Sequence, residues 1–554
     1  MLKNSFIFFC AILSFSSCTQ KKEKVDLIVY HAHIYSVDSA NTRYEAMAIK
    51  GGNILELNSS ERILQKYEAK DLVDAEGKTV FPGFTDAHCH FTGFATDMWK
   101  CQLSGTTSFE NVLEKVKEYS INAPMYWIYG RGWDQNDWLL KEFPDKLKLD
   151  ALYPNRPVFL KRVDGHAALV NQKALDLAGV TITTKVKGGT VEIKNNQLTG
   201  ILIDNAMDLV DGIIPHISDS LAKVYYRKAE IRCFSLGLTQ VHDCGISEHT
   251  LELLDAEQKS GHLKMKIYAL LSDDSTYYER WIKKGILRTE RLTMGGFKVY
   301  ADGALGSRGA CLREAYSDKK EWMGFLLTDQ LRLTKIAQTL VNSNLQMCTH
   351  AIGDSANRTI LKIYAAALKG KNDRRWRIEH AQVIAPGDFG YFEKYSIIPS
   401  VQPTHATSDM YWAKDRLGAE RIKTAYAYQL LLKAGGIVAL GTDFPVEDIS
   451  PIKTFYAAVV RQDTKGFPEN GFQKENALSR EEALRGMTIW AAYSSFEEKI
   501  KGSLEKGKTA DFILLDTDLM NCKESEILGT RVMASYVNGE QVFKLRRNMK
   551  TDFL

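Results

Sequence analysis

The chain has 554 residues, 45% of them hydrophobic and 25% charged, an ordinary globular balance with enough apolar content for a large core. Its formal net charge of +4 is small for this length, and Lys and Arg are scattered rather than striped, which excludes nucleic acid as an expected partner. The length suits either about two to four domains or one large β/α barrel with attachments, since such barrels alone run to about 250 residues.

The N-terminus predicts export. One Lys in the first four residues precedes the short apolar run Ser5 to Phe15, and small residues then lead to Cys18. That order is a signal peptide over 1–18. Small residues ending directly at Cys18 resemble a bacterial lipobox, with Cys18 as the lipidated residue, 19–25 as a tether, and the protein held on a membrane facing the periplasm. An ordinary signal peptide with an incidental Cys18 is the alternative. The seven later cysteines show no CxxC and no paired spacing, so buried thiols are expected rather than a zinc knuckle or disulfide framework.

Asp26 to Val37 predicts one strand, and Tyr44 to Leu57 a hairpin turning at Gly51-Gly52-Asn53. Asp511 to Leu515 and Val532 to Phe543, turning at Asn538-Gly539, repeat the pattern at the far end. The two sets, 26–80 and 505–545, are expected to form one composite β-subdomain. Between them, 81–504 alternates strands with helical patterns. Eight strand candidates stand out: Thr79 to Ala87, Gly237 to Cys244, Met265 to Ser272, Gly296 to Ala301, Leu345 to Ala351, Trp376 to Ile384, Ile397 to Gln402 and Gly436 to Gly441. Helix-length segments such as Asp329 to Asn342 and Arg358 to Leu368 separate most of them. Eight parallel βα units argue for a closed barrel. The first gap is far too long for one crossover helix, so an inserted subdomain is expected at about 93–221, with strands at Pro157 to Val163 and Thr190 to Ile193.

Barrel chemistry sits at the C-terminal ends of the strands. His88 and His90 follow the first strand, two residues apart and so on one side of it, where both can face one ion. Cys89 falls on the opposite face and is not counted as a ligand. Lys298 lies in the fourth strand, His350 ends the fifth, His380 the sixth and Asp443 the eighth. Each has an ordinary reading alone: a hydrogen-bonded core histidine, a snorkelling lysine, a capping aspartate. Together at one end of five strands they read as a site.

Pro82-Gly83-Phe84-Thr85-Asp86-Ala87-His88-Cys89-His90 resembles the metal motif of the amidohydrolase superfamily. Gly130-Arg131-Gly132-Trp133-Asp134-Gln135, Asp164-Gly165-His166-Ala167, the run Lys298 to Ser307, His350 to Asp354, Ile378-Glu379-His380-Ala381, Gln402-Pro403-Thr404-His405 and Gly441 to Val446 resemble, more narrowly, its YtcJ-like or amidohydrolase-3 branch, which includes N-substituted formamide deformylase. The resemblance runs in order through residues 25 to 545. It implies a (β/α)8 TIM-type barrel with a small β-sandwich from both chain ends, and hydrolysis of non-peptide C–N bonds.

Amide hydrolysis near neutral pH needs a better nucleophile than free water, and a bound divalent ion lowers the pKa of its water to about 7. Imidazole and carboxylate ligands suit zinc, with nickel, iron or manganese open. His88, His90 and Asp443 are expected to hold one ion, and His350 with His380 a second. Two ions need a bridging anion, which an ammonium cannot be; the resemblance implies a carboxylated Lys298. A single ion with Lys298 as a nearby cation is the alternative. Asp443 is also the expected proton carrier from water to the leaving amine. Asp302 and Asp354 are candidates to orient His ligands, with helix or turn capping as the other reading. Asp164, His166, His242 and His405 are candidates to reach a small-molecule substrate, and Trp133 and Asp134 to line its pocket. A cyclic amidase or deaminase on the same scaffold is the competing activity. A lipoprotein that binds metal or solute without turnover is the competing class. Homodimerisation would be ordinary for such a chain.

Overall fold

The computed structural model describes residues 21–162, 167–186 and 189–546. The expected signal peptide and Cys18 lie outside the described residues, as do Asp164 and His166.

Two of the sheets come from the chain ends. One has four strands in the order Asn53–Asn58, Ala46–Lys50, Glu23–Tyr30 and Tyr67–Asp74. The other runs Glu540–Lys544, Val532–Val537, Phe512–Leu515, Thr79–Pro82, His33–Tyr35 and Arg43–Tyr44, so it joins both ends of the chain. Side chains two apart, Leu27 and Val29, Met47 and Ile49, Phe512 and Leu514, Ala534 and Tyr536, meet in one apolar core. That is strand periodicity burying one face of each sheet against the other. The single strand expected over Asp26 to Val37 is broken at His31, whose left-handed φ of 50° ends the first strand at Tyr30.

Eight parallel strands form the barrel: Phe84–Cys89, Leu238–Ile246, Lys266–Ser272, Leu292–Tyr300, Gln346–Ala351, Arg377–His380, Ile398–Val401 and Ala439–Leu440. They neighbour one another in chain order. Just past the strand ends, Asp443 N donates to His88 O at 2.7 Å and His90 N to Phe444 O at 2.8 Å, linking the eighth strand to the first.

The fourth strand begins at Leu292, four residues before the expected Gly296, and three other boundaries differ from expectation for local reasons. The run from Thr79 is two strands, parted at Gly83; its first half belongs to the terminal sheet and only its second to the barrel. A Cβ at Gly83 would stand 2.2 Å from Thr239 Oγ1, so only glycine lets the chain pass between the two layers. The sixth strand stops at His380 because His380 and Ala381 have φ of 71° and 43°. The eighth is only Ala439–Leu440, since Gly436 caps the preceding helix in the left-handed region.

The long first crossover contains the helix Phe91–Asp97, a separate six-stranded sheet, and the return helix Asp219–Ser235. That sheet runs Gly189–Lys194, Gln197–Asp204, Ala167–Val170, Val158–Arg162, Ile128–Trp133, Cys101–Gln102. Leu103, Val112, Trp133, Trp138, Leu160 and Ile201 give it a core of its own.

Candidate metal centre

The two backbone bonds that join the eighth strand to the first also assemble the site. They set Asp443 Oδ1 3.1 Å from His90 Nε2 and 3.6 Å from His88 Nε2. Neither contact has hydrogen-bond geometry, and Asp443 Oδ1 is a buried oxygen without a hydrogen bond. Ligand atoms about 2.0–2.1 Å from one tetrahedral zinc stand roughly 3.3 Å apart. The three residues therefore have the spacing of a shared cation, and their donor set of two imidazoles and a carboxylate fits a divalent ion.

The other ligand candidates crowd the same point. His380 lies 4.8 Å from His88 and 4.5 Å from His350, ring centre to ring centre. Lys298 Nζ sits 3.0 Å from His88 Nε2. His350 Nε2 is buried without a hydrogen bond, as expected of a ligand nitrogen. His405 stacks on His380 with ring centres 5.9 Å apart, and its Nε2 is 3.7 Å from Asp443 Oδ2. His380, His405 and Asp443 thus form a second close group of donor atoms, one that involves His405 where His350 was expected.

Burial and the neighbouring Lys298 ammonium pull His88 down to about 4 and His350 to about 3. Burial and the adjacent His350 and His88 keep His380 well below the usual imidazole range. Burial would raise Asp443, but its His90 contact and the surrounding His88, His380 and His405 outweigh it and hold the carboxyl well below the ordinary range. Neutral imidazoles beside an ionised carboxylate are the protonation states that bind a metal.

The remaining candidates divide. His405 and the fourth-strand residue Tyr300 stand at the centre's rim; Tyr300 is 38% exposed, with its ring 5.5 Å from His350 and 5.1 Å from Lys298 Nζ. His242 does not follow the second strand but lies inside it, fully buried, with Nδ1 accepting from Arg377, so it does not face substrate from the loops. Trp133 is not a pocket residue: it is 1% exposed, packs on Trp138 and donates Nε1–H to Leu160 O within the inserted sheet. Asp302 is 3.7 Å from His350 Nε2, while its carboxylate accepts from Ile352, Gly353 and Cys311 N–H groups. It staples the loops after the fourth and fifth strands. Asp354 accepts from Arg313 N in the first turn of helix Asp354–Leu368, a local loop contact rather than a hold on a histidine. Cys89 Sγ points away, toward His242 O at 3.5 Å.

Two groups that orient ligand candidates were not given that role from sequence. Glu379 accepts from His88 Nδ1, and Gln402 Oε1 from His380 Nδ1 at 2.8 Å. Both fall within the motif stretches that carry the resemblance, Glu379 directly before His380 and Gln402 just past the seventh strand, and that membership was the available signal.

Residues 71–543 match the amidohydrolase family, Amidohydro_3. The chain is 35% identical over 537 residues to Protein LONG AFTER FAR-RED 3 of Arabidopsis thaliana, covering 94% of this chain and 91% of that protein. It is 30% identical over 524 residues to YtcJ of Bacillus subtilis, covering 92% and 98%. N-substituted formamide deformylase of Arthrobacter pascens is 26% identical over 540 residues, covering 93% and 97%. Among solved structures, an uncharacterized metal-dependent hydrolase from Pyrococcus horikoshii shares the fold with a TM-score of 0.77 at 28% identity, covering 90% of this chain and 99% of that one.

Proposed function

This chain belongs to the amidohydrolase family and is a metal-dependent hydrolase of that superfamily, and from that premise we propose that it cleaves a non-peptide C–N bond, an amide or an N-substituted formamide. The carrying observation is Asp443, with one oxygen beside His88 and His90 and the other toward His405. End-to-end similarity to N-substituted formamide deformylase supports the bond class.

A bound divalent ion, zinc in this reading, supplies a water of pKa about 7 and a polarised substrate carbonyl. His88 and His90 with Asp443 would hold it, and His380, with His405 on one side and His350 on the other, would face a second position. Asp443 accepts a proton from the attacking water and returns it to the leaving amine. His405 and Tyr300 bound the open side, where substrate approaches. Lys298 Nζ now addresses the His88 Nε2 lone pair that an ion would need. Carboxylation would convert the Lys298 ammonium and carbon dioxide into a carbamate, forming an N–C bond and releasing two protons. The resulting anionic carbamate would no longer compete for that lone pair and would give the metal site an anionic ligand.

Metal content and turnover of a panel of formamides, acyclic amides, carbamates, cyclic amides and aminopurines test this reading. Two ions per chain and formamide or amide hydrolysis are expected, with Asp443→Asn lowering kcat by about 100-fold or more. One ion per chain would remove the carbamate. Turnover confined to cyclic amides or aminopurines would shift the activity to a cyclic amidase or deaminase. A metal-loaded protein without turnover would be a binding protein, and full activity in Asp443→Asn would remove its proton-carrying role.

A further inference from the structure

Beneath the histidines lies a layer of charged side chains with no exposure. Arg377 and Glu379 are two apart on the sixth strand, on one face of it, and both are 0% exposed. Buried charge is costly unless its polar edges are met. Here they are. Arg377 Nε donates to Glu379 Oε1 at 2.6 Å, Nη2 to Ala87 O at 2.9 Å and Nη1 to His242 Nδ1 at 3.0 Å. The second oxygen of Glu379 meets His88 Nδ1. Ala87 is the peptide neighbour of His88, so the pair grips that ligand twice, by the backbone before it and by its ring.

The grip selects a tautomer. An ionised carboxylate only accepts, so His88 carries its proton on Nδ1 and its lone pair on Nε2. Nε2 is the atom that faces Lys298 at 3.0 Å and Asp443 at 3.6 Å. His242 receives an N–H from a guanidinium that has no acceptor atom, so its Nδ1 is bare and the ring completes Arg377 without adding charge.

We propose that Glu379 and Arg377, backed by His242, are positioning residues that fix His88 in its Nδ1–H tautomer, with Nε2 turned to the metal position, and so set its affinity for metal. The inference rests on the metal centre proposed above. A rival stands close by: His88 Nδ1, Glu379 and Cys244 also lie near enough to be read as a cation site of their own. The direct hydrogen bond between His88 Nδ1 and Glu379 argues against it, because two ligands of one ion stand further apart.

The test compares metal-free wild type, Glu379→Gln and the charge-balanced double variant Arg377→Met/Glu379→Gln. Zinc affinity is measured by competition with a chromophoric chelator, and stability of the metal-free forms by thermal unfolding. Glu379→Gln should weaken zinc binding by about 10–100-fold. It should also lower the metal-free Tm, because Arg377 is left as an unpaired buried charge. The double variant should regain most of that Tm while zinc binding stays weak, a split that a purely structural role does not produce. Wild-type zinc affinity in either variant overturns the proposal. Should both variants fail to fold, a zinc-loaded wild-type crystal structure decides. An ion on His88 Nε2 supports the assignment, and one among Nδ1, Cys244 and Glu379 overturns it. Wild type that binds no divalent ion defeats the metal centre itself, and this inference with it.

Discussion

His88 and His350 are held neutral far below the ordinary imidazole range, at about 4 and about 3, mainly by burial and then by Lys298. In the unfolded chain both rings take up a proton near pH 6.5. Between pH 6.5 and 4 the unfolded chain therefore binds more protons than the folded one, and falling pH favours unfolding. The metal-free protein should lose Tm steadily across that window, and His88→Gln/His350→Gln should flatten the loss. Thermal scans from pH 7 to 4 check this; an equal slope in both proteins would show that other groups carry it. At this scale, sequence separates strong signals from weak ones. His88 and His90 announce themselves by spacing. His242 and His405 look alike in sequence, each near a strand end, yet one is sealed under Arg377 and the other faces Asp443. Glu379 lay within a motif, but its role was not legible, because nothing in an acidic strand residue names the ring, 291 positions away, that it meets.

At the scale of elements, the barrel's seam depends on Gly441. A Cβ there would stand 2.5 Å from His88 N, 2.7 Å from Asp86 Oδ1 and 2.8 Å from His88 O. Thr442 then donates from its N–H and its hydroxyl to the Asp86 carboxylate, at 3.1 Å to Oδ1 and 2.7 Å to Oδ2. These contacts fix how far Asp443 sits from His88. Gly441→Ala should cost about 1–3 kcal/mol by overpacking. It should also weaken zinc binding, because the seam must open. Denaturant unfolding and chelator competition read the two effects, and an unchanged affinity would mean the seam does not set the ligand spacing. All eight barrel strands were legible from apolar runs, since parallel strands buried on both faces are nearly continuous in hydrophobicity. Their ends were less so. Gly83, His380 and Gly436 mark boundaries through backbone conformation and close approach, which hydrophobic pattern does not encode.

At the scale of the molecule, the terminal sheets are tied to the barrel by buried charge. Lys266, at the start of the third strand, donates to Asp511 at 2.6 Å, with the two side chains 2% and 7% exposed. Asp511 also accepts from Asn538 N at 2.9 Å, in the turn between the last two strands. Lys266→Met should cost about 3–5 kcal/mol, because it strands a buried carboxylate. Chemical denaturation measures the loss, and one below about 1 kcal/mol would show that the sheets are held by apolar packing instead. The chain's own pattern determined that strands and helices alternate, that both ends contribute β-structure, and that histidines, a lysine and an aspartate fall at one end of the barrel. Those properties are local, carried by periodicity and by position within a strand. Only the tertiary structure decided which of them meet: His405 with His380 and Asp443, His88 with Glu379, His242 with Arg377. These pairs depend on strand tilt, on the seam and on left-handed residues at strand ends, which arise when eight units close on one another and which no single segment contains.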